Sequence, residues 1–376
     1  MTHRMQTQDA DRPSSRSRWL TLALLAGLLA MLPLLAACGG DDEATATTDT
    51  SGTTASPTAA EAAATVPAAS PVSGETRDVT IGLSFVPNIQ FAPFYVAIEK
   101  GFYAQHGVEV ELNHHQAGAD LFGALVAGQE DMMMAGGDEV LAARAKGAEL
   151  VYVAEVFTRY PVGLIVPADS DIASVADIKG KKVGIPGPYG ANYIGLLALL
   201  SNAGLTEKDI QVESVGFTQA SALLAGHVDA VMGYVNNEPL QLKKAGMETR
   251  TFAVADVQPL VSNGLIATEK TLQDDPEMVK AVVAGTLEGV QYTIDHPDEA
   301  VEIAKKFVPT LTDDEQVADA RAVLDASLPL WQPTTPPGSS DPEDWQSMAD
   351  FLTEHGLLEG EVDVSAAFTN ELIGQP

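Results

Sequence analysis

Aromatic, amide and carboxyl side chains follow several of the strands that the sequence pattern predicts. A flat heteroaromatic ligand needs an aromatic face for stacking, and amide or carboxyl groups can hydrogen-bond to its edge. In α/β proteins, ligands meet the loops at the carboxyl ends of strands. The residues of these types that stand in such loops are our candidates for ligand binding: Phe85, Asn88, Phe91, Asp138, Tyr160, Tyr189, Asn192, Tyr234 and Glu238.

The first candidate loop follows a predicted strand at 79–83. Phe85 is expected to stack on a ligand ring, and the amide of Asn88 is expected to hydrogen-bond to the ring edge. Phe91 is a third candidate in the same loop. The alternative is that both phenylalanines belong to the hydrophobic core.

Asp138 and Tyr160 are candidates for ligand binding, and for each a purely structural role is the alternative. Asp138 lies in a Gly-Gly-Asp-Glu turn at 136–139, whose backbone N–H groups can meet a ligand oxygen. The alternative for Asp138 is that it caps the helix that follows. Tyr160 stands near the predicted passage between two lobes, as a cleft wall or as hinge packing.

The loop Pro-Gly-Pro-Tyr-Gly-Ala-Asn at 186–192 is the strongest candidate in the second half of the sequence. Its glycines let the backbone approach a ligand, and the helix that follows presents free amides. Tyr189 is expected to supply the stacking face opposite Phe85, with Asn192 nearby. No Gly-Lys-Ser/Thr follows, so the loop is not a nucleotide P-loop.

Tyr234 and Glu238 stand in a second turn of that half, at 233–239. The Glu238 carboxylate would accept hydrogen bonds from a ring N–H or a hydroxyl. The alternative is a favourable charge at a helix N-terminus.

Neither a metal nor a cofactor is predicted. His114 and His115 are neighbours on a predicted strand, so their side chains point to opposite faces of the sheet. Cys38 is the only cysteine, which leaves the folded part without a disulfide, a thiolate metal site or a cysteine nucleophile.

Short β-rich runs alternate with helical stretches from residue 78 onward, and this order restarts near residue 177. The elements include a predicted helix over 91–103 and a predicted strand over 131–135, and Trp331 and Trp345 are expected to be packing residues of the tail. The fold class is therefore α/β, as two lobes with a hinge and a helical C-terminal tail. Lobe 1 is expected to comprise 78–165 plus 255–376, and lobe 2 to comprise 166–254. The chain is expected to cross between the lobes near 160–166 and 252–260, with the ligand in the cleft between them.

The N-terminus carries a basic leader, an apolar run from Trp19 to Ala37, and Leu-Ala-Ala-Cys-Gly at 35–39. This pattern predicts a signal peptide at 1–37, and its end resembles a bacterial lipobox, with Cys38 as the lipidated residue. A retained transmembrane anchor is the alternative. Residues 38–77 are rich in Thr, Ala, Ser and Pro and are interpreted as a flexible tether. The protein is then expected at the cell membrane, lipid-anchored on its extracytoplasmic face.

The net charge of −31 makes nucleic acid or an anionic membrane surface an unsuitable partner. We expect a monomer whose partners are a small-molecule ligand and a membrane permease.

Several stretches resemble one family, the thiamine-pyrimidine and riboflavin-binding solute-binding proteins of ABC importers. The resemblance rests on the order and spacing of six segments, at 87–97, 99–103, 107–110, 127–132, 178–184 and 226–230. It implies the type II periplasmic-binding-protein fold and a binding role without catalysis.

Within this family, pyrimidine binders typically have a Trp and a His where this chain has Phe85 and Phe91. Because of that departure, the chain resembles the riboflavin-binding branch more closely, and riboflavin is the expected ligand. A thiamine pyrimidine precursor is the alternative ligand. Sulfonate or nitrate-type anions are a weaker alternative, because Arg159 is the one nearby basic candidate. An enzyme of the pyrimidine-synthase type is disfavoured, because such enzymes use a His and a Cys-rich segment for iron chemistry.

Overall fold

The computed structural model describes residues 76–115 and 121–374. The signal peptide, Cys38 and nearly all of the tether therefore lie outside the described residues and remain predictions. Within the described ranges, no helix combines the length and the apolar character that crossing a membrane requires.

The first of two five-stranded sheets is built from the beginning of the described chain and one later strand. Its order is β2-β1-β3-β10-β4, in which β10 runs antiparallel to both of its neighbours and β1 is parallel to β2 and β3. Its strands are β1 (Arg77–Leu83), β2 (Val108–His114), β3 (Met132–Gly136), β4 (Leu150–Glu155) and β10 (Asn263–Thr268).

The second sheet repeats this arrangement with the order β7-β6-β8-β5-β9. Here β5 is the antiparallel strand, pairing with β8 and β9, and β6 is parallel to β7 and β8. Its strands are β5 (Val162–Pro167), β6 (Lys182–Ile185), β7 (Gln211–Ser214), β8 (Ala230–Tyr234) and β9 (Thr249–Ala253). We call residues 76–155 and 263–374 the first half, and residues 162–253 the second half.

The chain passes between the two sheets at 156–161 and at 254–262. Val162 to Ile165 pair with β8 in the second sheet, so a lobe boundary after residue 165 falls inside β5. We propose that the halves move as rigid bodies about these two crossing segments.

The described ranges contain twelve α-helices that cover the faces of the sheets. Gly101, at φ 71°, ends α1, so the single helix expected over 91–103 is two short helices. The helices are α1 (Ala92–Glu99), α2 (Phe102–Gln105), α3 (Gly123–Val126), α4 (Gly137–Ala145), α5 (Gly190–Asn202), α6 (Gln219–Leu224), α7 (Glu238–Lys244), α8 (Glu269–Asp274), α9 (Pro276–Asp295), α10 (Pro297–Ala304), α11 (Asp314–Ser327) and α12 (Pro342–Glu354).

The helical tail packs on the first half. Trp331 and Trp345 are fully buried. Trp331 meets the ring of Phe157 edge-on at 5.5 Å, and Trp345 stacks on Phe368 at 5.1 Å. Burying two indoles removes a large apolar area from water, so the tail completes the core of the first half.

One hydrophobic cluster extends through both halves. It includes Met133 and Leu141 from the first half and Leu164 and Val183 from the second, with Tyr160 of a crossing segment among them. The two halves therefore share buried apolar contacts close to the crossing segments.

Candidate functional site

Two phenylalanines from opposite halves meet where two strands end. Phe85 follows β1 and is half-buried, and Phe217 follows β7 with 55% of its surface exposed. Their ring centroids are 6.3 Å apart at an interplanar angle of 50°. Phe217 was not among the sequence candidates, although its position just after a predicted strand was the same signal that selected the others.

His114 holds the Phe85 loop against the sheet. Its Nδ1 lies 2.9 Å from the carbonyl oxygen of Phe85, so Nδ1 carries the hydrogen. Burial lowers the pKa of His114, and the neighbouring His115 lowers that pKa further. A neutral His114 suits this single backbone hydrogen bond.

Phe91 lies in the core of the first half. It is buried, and its ring meets the ring of His114 edge-on at 5.5 Å. This position matches the core alternative, so we leave Phe91 out of the proposed site.

Asn88 has two roles in the same loop. Its Oδ1 accepts a hydrogen bond from the backbone N–H of Gln90 at 3.1 Å, which caps a short 3₁₀ turn. Asn88 also lines a cavity of about 560 Å³ between α7 and α11.

Tyr160 connects the two halves through its hydroxyl group. The hydroxyl oxygen lies 3.5 Å from Oδ2 of Asp138 in the first half and 3.3 Å from the carbonyl oxygen of Ala191 in the second. Tyr160 is buried among the shared apolar residues. Tyr160 therefore packs at the junction of the two halves, and its role as a cleft wall stays a prediction.

The carboxyl group of Asp138 is fully buried at the start of α4. Burial, and to a smaller extent the charge of Glu139, raises the pKa of Asp138 to about 8. Glu139 accepts a hydrogen bond from the backbone N–H of Gly136 at 2.9 Å, and burial also raises its pKa. A protonated Asp138 can donate a hydrogen bond to a ligand oxygen or ring nitrogen.

In the 186–192 loop, Tyr189 is exposed whereas Asn192 is buried. Tyr189 is 54% exposed, and its ring covers Gly187, where a Cβ atom would lie only 2.3 Å from Cε1 of the tyrosine. Among the described residues, the aromatic ring that we find beside Phe85 is that of Phe217.

Asn192, in the first turn of α5, is 8% exposed. Its Oδ1 is buried and has no hydrogen-bond partner among the described residues. An unpaired buried oxygen carries a desolvation cost, which a ligand N–H or O–H would remove.

Glu238 bonds to its own turn. Its Oε2 accepts from the backbone N–H of Tyr234 at 2.7 Å, and its Oε1 lies 3.3 Å from Nδ2 of Asn237. Burial raises the pKa of Glu238. These contacts favour the structural alternative, in which Glu238 shapes the start of α7.

Tyr234 reaches from the second half to the first. Burial raises the pKa of Tyr234, and a hydrogen bond to Asn263 of β10 lowers that pKa by a smaller amount.

The turn that follows also contains Asn236, which is fully buried and donates from Nδ2 to Oγ of Ser327 in α11 at 2.7 Å. No sequence signal pointed to this bond between the halves.

The charges around the cleft favour an uncharged ligand. Arg159, the one basic candidate for an anion, pairs with Asp256 at 2.7 Å. The carboxyl groups of Asp138, Glu139 and Glu238 supply no positive charge that an anion could pair with. In the described ranges, no group of three or more His, Cys, Asp or Glu residues is arranged to hold a metal ion.

The family model described as "NMT1/THI5 like" matches residues 88–300 of the chain. The riboflavin-binding protein RibY of Chloroflexus aurantiacus is 36% identical over 330 residues, which cover 85% of this chain and 92% of that protein. The formylaminopyrimidine-binding protein of Halalkalibacterium halodurans is 28% identical, over 78% of this chain and 89% of that protein.

Among solved structures, the alkanesulfonate-binding protein SsuA of Xanthomonas axonopodis pv. citri superposes with a TM-score of 0.62. The match covers 79% of this chain and 100% of that protein at 22% sequence identity. At this identity the likeness shows the fold, which is the type II periplasmic-binding-protein fold expected from the sequence.

Proposed function

We propose that this chain, which belongs to the NMT1/THI5-like family, captures riboflavin or a close flavin for an ABC importer. The chain is a solute-binding protein, and what we propose here is the identity of its ligand. The observation that carries the proposal is the 36% identity to RibY over 85% of the chain.

The paired phenylalanines suit the flat ring system of a flavin. Phe85 and Phe217 come from different halves and already contact each other, with centroids 6.3 Å apart. A ring can therefore enter between them only after the halves move apart. Closure of the halves on the ring would then bury both of its faces.

Buried and half-buried polar groups near the junction of the halves suit the edge of that ring. Tyr160, Tyr234 and Asn192 are uncharged, and Asp138 is protonated at neutral pH because of its raised pKa. Donors and acceptors of this kind select for a ligand that satisfies them, since an unpaired buried group costs affinity.

The proposed location follows from the N-terminal signal. Lipidation of Cys38 would hold the protein at the extracytoplasmic face of the cell membrane, on a tether at 38–77. The closed, loaded form would then dock on the permease of the importer. We propose binding without catalysis, as in the two relatives whose names describe binding proteins.

Titration of the full chain in mild detergent with riboflavin tests the proposal directly. We expect saturable quenching of flavin fluorescence with one ligand per chain and a Kd in the micromolar range or below. Detergent without protein is the blank, and unlabelled riboflavin as competitor establishes specificity. Unchanged flavin fluorescence at micromolar protein would contradict the proposal.

A thiamine pyrimidine precursor is the second candidate, because the formylaminopyrimidine-binding protein is also a relative. Competition by an aminopyrimidine in the same titration separates the two candidates. Displacement of riboflavin only at far higher aminopyrimidine concentration is expected. Tight aminopyrimidine binding without flavin quenching would favour the second candidate.

A further inference from the structure

A cavity of about 560 Å³ lies between α7 of the second half and α11 of the first. Its size falls within the range of roughly 300–1,000 Å³ that is typical of small-molecule sites. Residues of both halves form its walls, so it changes shape whenever the halves move. Asn88 was the only sequence candidate that lines it.

The lining of this cavity combines apolar side chains with uncharged amides. The apolar part includes Ile89, Leu240 and Val308, and the amides are Asn88, Asn237, Gln241 and Gln316. Amide groups both donate and accept hydrogen bonds. This lining suits a flexible group that bears hydroxyls on a carbon chain.

Three of the amides have their oxygen held by the protein, and in one of them Oδ1 of Asn237 accepts from Nε2 of Gln241 at 3.0 Å. Oε1 of Gln316 accepts from the backbone N–H and the hydroxyl of Thr312, both at 2.9 Å, and Oδ1 of Asn88 accepts from Gln90. Among the described residues, Nε2 of Gln316 and Nδ2 of Asn88 have no hydrogen-bond partner. Their N–H groups are thus oriented and available to hydroxyl oxygens.

The charges at the cavity do not favour an anionic group. The ammonium of Lys244 lies 2.8 Å from Oε1 of Glu315 and also pairs with Asp319. Lys243 also lines the cavity and is exposed, so two lysines and the two carboxylates balance at this wall. The wall therefore offers a phosphate no net positive charge, whereas a hydroxyl group requires none.

The cavity adjoins the cleft through two loops. Asn88 follows Phe85 by three residues, which span at most about 11 Å of extended chain. Asn237 follows Tyr234 by the same number of residues. A ligand whose ring lies between Phe85 and Phe217 therefore has this cavity within reach of a substituent.

We propose that this cavity binds the uncharged, polyhydroxylated side chain of the ligand. The inference rests on the proposed function and deepens it. It predicts that the protein binds riboflavin more tightly than riboflavin 5′-phosphate and more tightly than flavins without the ribityl chain. Gln316 and Asn88 would donate to the ribityl hydroxyls, and closure of α7 on α11 would enclose them.

Three flavins and the full chain in mild detergent test this inference. Riboflavin should bind roughly 10-fold or more tightly than lumiflavin, which has the same ring and a methyl group in place of the ribityl chain, because about two hydrogen bonds are lost. Riboflavin 5′-phosphate should bind more weakly than riboflavin by a similar factor. Equal Kd values for riboflavin and lumiflavin would overturn the inference while leaving the proposed function intact.

Gln316→Leu should weaken riboflavin binding roughly 5- to 10-fold and leave lumiflavin binding unchanged. Leu240→Trp, which fills the cavity, should have the same selective effect and does not depend on the Thr312 contacts. Gln346→Leu is the matched control, since Gln346 lies on α12 and does not line the cavity. Equal weakening of both flavins by either cavity variant would overturn the inference.

Absence of riboflavin binding by the unaltered chain would contradict the proposed function and the inference with it. Tighter binding of the 5′-phosphate than of riboflavin would overturn the assignment of an uncharged occupant.

Discussion

The ring of Phe85, after the first strand of one sheet, contacts the ring of Phe217, after a strand of the other sheet, with a centroid separation of 6.3 Å. The two residues lie far apart in sequence, yet each stands at the carboxyl end of its strand. This contact places an aromatic face from each half at the same point of the cleft. It is also the contact that a flat ligand must separate in order to bind.

Phe217→Ala should weaken riboflavin binding roughly 3- to 10-fold, since one aromatic pair contributes about 0.5–1.5 kcal/mol. The free energy of unfolding should change little, because Phe217 is 55% exposed. Fluorescence titration and urea unfolding measure the two quantities. Val126→Ala, at another exposed apolar side chain, is the control.

Tyr189→Ala separates the structural assignment from the sequence prediction. If Tyr189 rather than Phe217 supplies the second stacking face, Tyr189→Ala will lose the larger part of the affinity. We expect Tyr189→Ala to weaken riboflavin binding less than Phe217→Ala does in the same fluorescence titration, because the Tyr189 ring covers Gly187.

Asn192→Ala should weaken riboflavin binding roughly 3- to 10-fold without lowering the free energy of unfolding. The buried Oδ1 of Asn192 has no partner among the described residues, so its removal sacrifices no hydrogen bond within the protein, whereas a ligand would lose about 0.5–1.5 kcal/mol. Asn202→Ala, on the exposed end of the same helix, should alter neither quantity. Destabilisation by Asn192→Ala with unchanged affinity would assign Asn192 to the fold instead.

Ser327→Ala should shift the ligand-free protein toward a more open form. The Oγ of Ser327 accepts from Asn236 across the two halves at 2.7 Å, and its loss leaves a buried amide unpaired at a cost of about 1–3 kcal/mol. Separation of the halves would restore water to that amide. Small-angle X-ray scattering should show a larger radius of gyration.

Thr293→Ala is the matched control for that experiment. Thr293 is buried and donates to the carbonyl oxygen of Gly289 within α9 at 2.7 Å, with no contact to the second half recorded among the described residues. An equal expansion in both variants would indicate general loosening rather than loss of a bond between the halves.

The free energy of unfolding should fall as the pH rises from about 5 to 8. Burial raises the pKa of Asp138 to about 8, and burial together with the charges of Asp344 and Asp341 raises the pKa of Glu155 to about 8. Between the ordinary and the raised pKa, the folded protein holds protons that the unfolded chain has released. The stabilisation is therefore present at low pH and is lost toward pH 8.

Asp138→Asn and Glu155→Gln should each reduce this slope, by up to about 1.4 kcal/mol per pH unit. Urea unfolding at pH 5, 6, 7 and 8 measures it. Asp177→Asn is the control, because hydrogen bonds from Ser174 lower the pKa of that exposed carboxyl group and it does not titrate in this range. An unchanged slope in both variants would contradict the assignment of this pH dependence to Asp138 and Glu155.

Sequence reasoning identified the fold because the relevant signals are local. Gly101 and Gly226 both have left-handed backbone angles, and each follows a helix. The strand predicted at 131–135 is β3 at Met132–Gly136, and the repeated β-α order gives two sheets. Trp331 and Trp345 are the buried packing residues that were predicted. Backbone conformation and apolar periodicity depend on neighbours in sequence, so one chain suffices to predict them.

The site could be predicted only in part. Asp138, Tyr160, Tyr234 and Asn192 are buried or half-buried, and their role in ligand binding stays a prediction. Phe91 is a core residue, and Glu238 holds its own turn. The side-chain type does not distinguish these outcomes, because the same ring or carboxylate serves a core, a cap or a ligand.

Sequence alone determined the α/β class and the order of elements, and it predicts an N-terminal signal and an aromatic and amide lining of the cleft. Tertiary structure decided that Phe217 faces Phe85, that Asn236 bonds to Ser327, and that a cavity lies between α7 and α11. Each of these contacts joins residues from different halves. They depend on how the two halves pack against each other, and no local preference of the chain encodes that packing by itself.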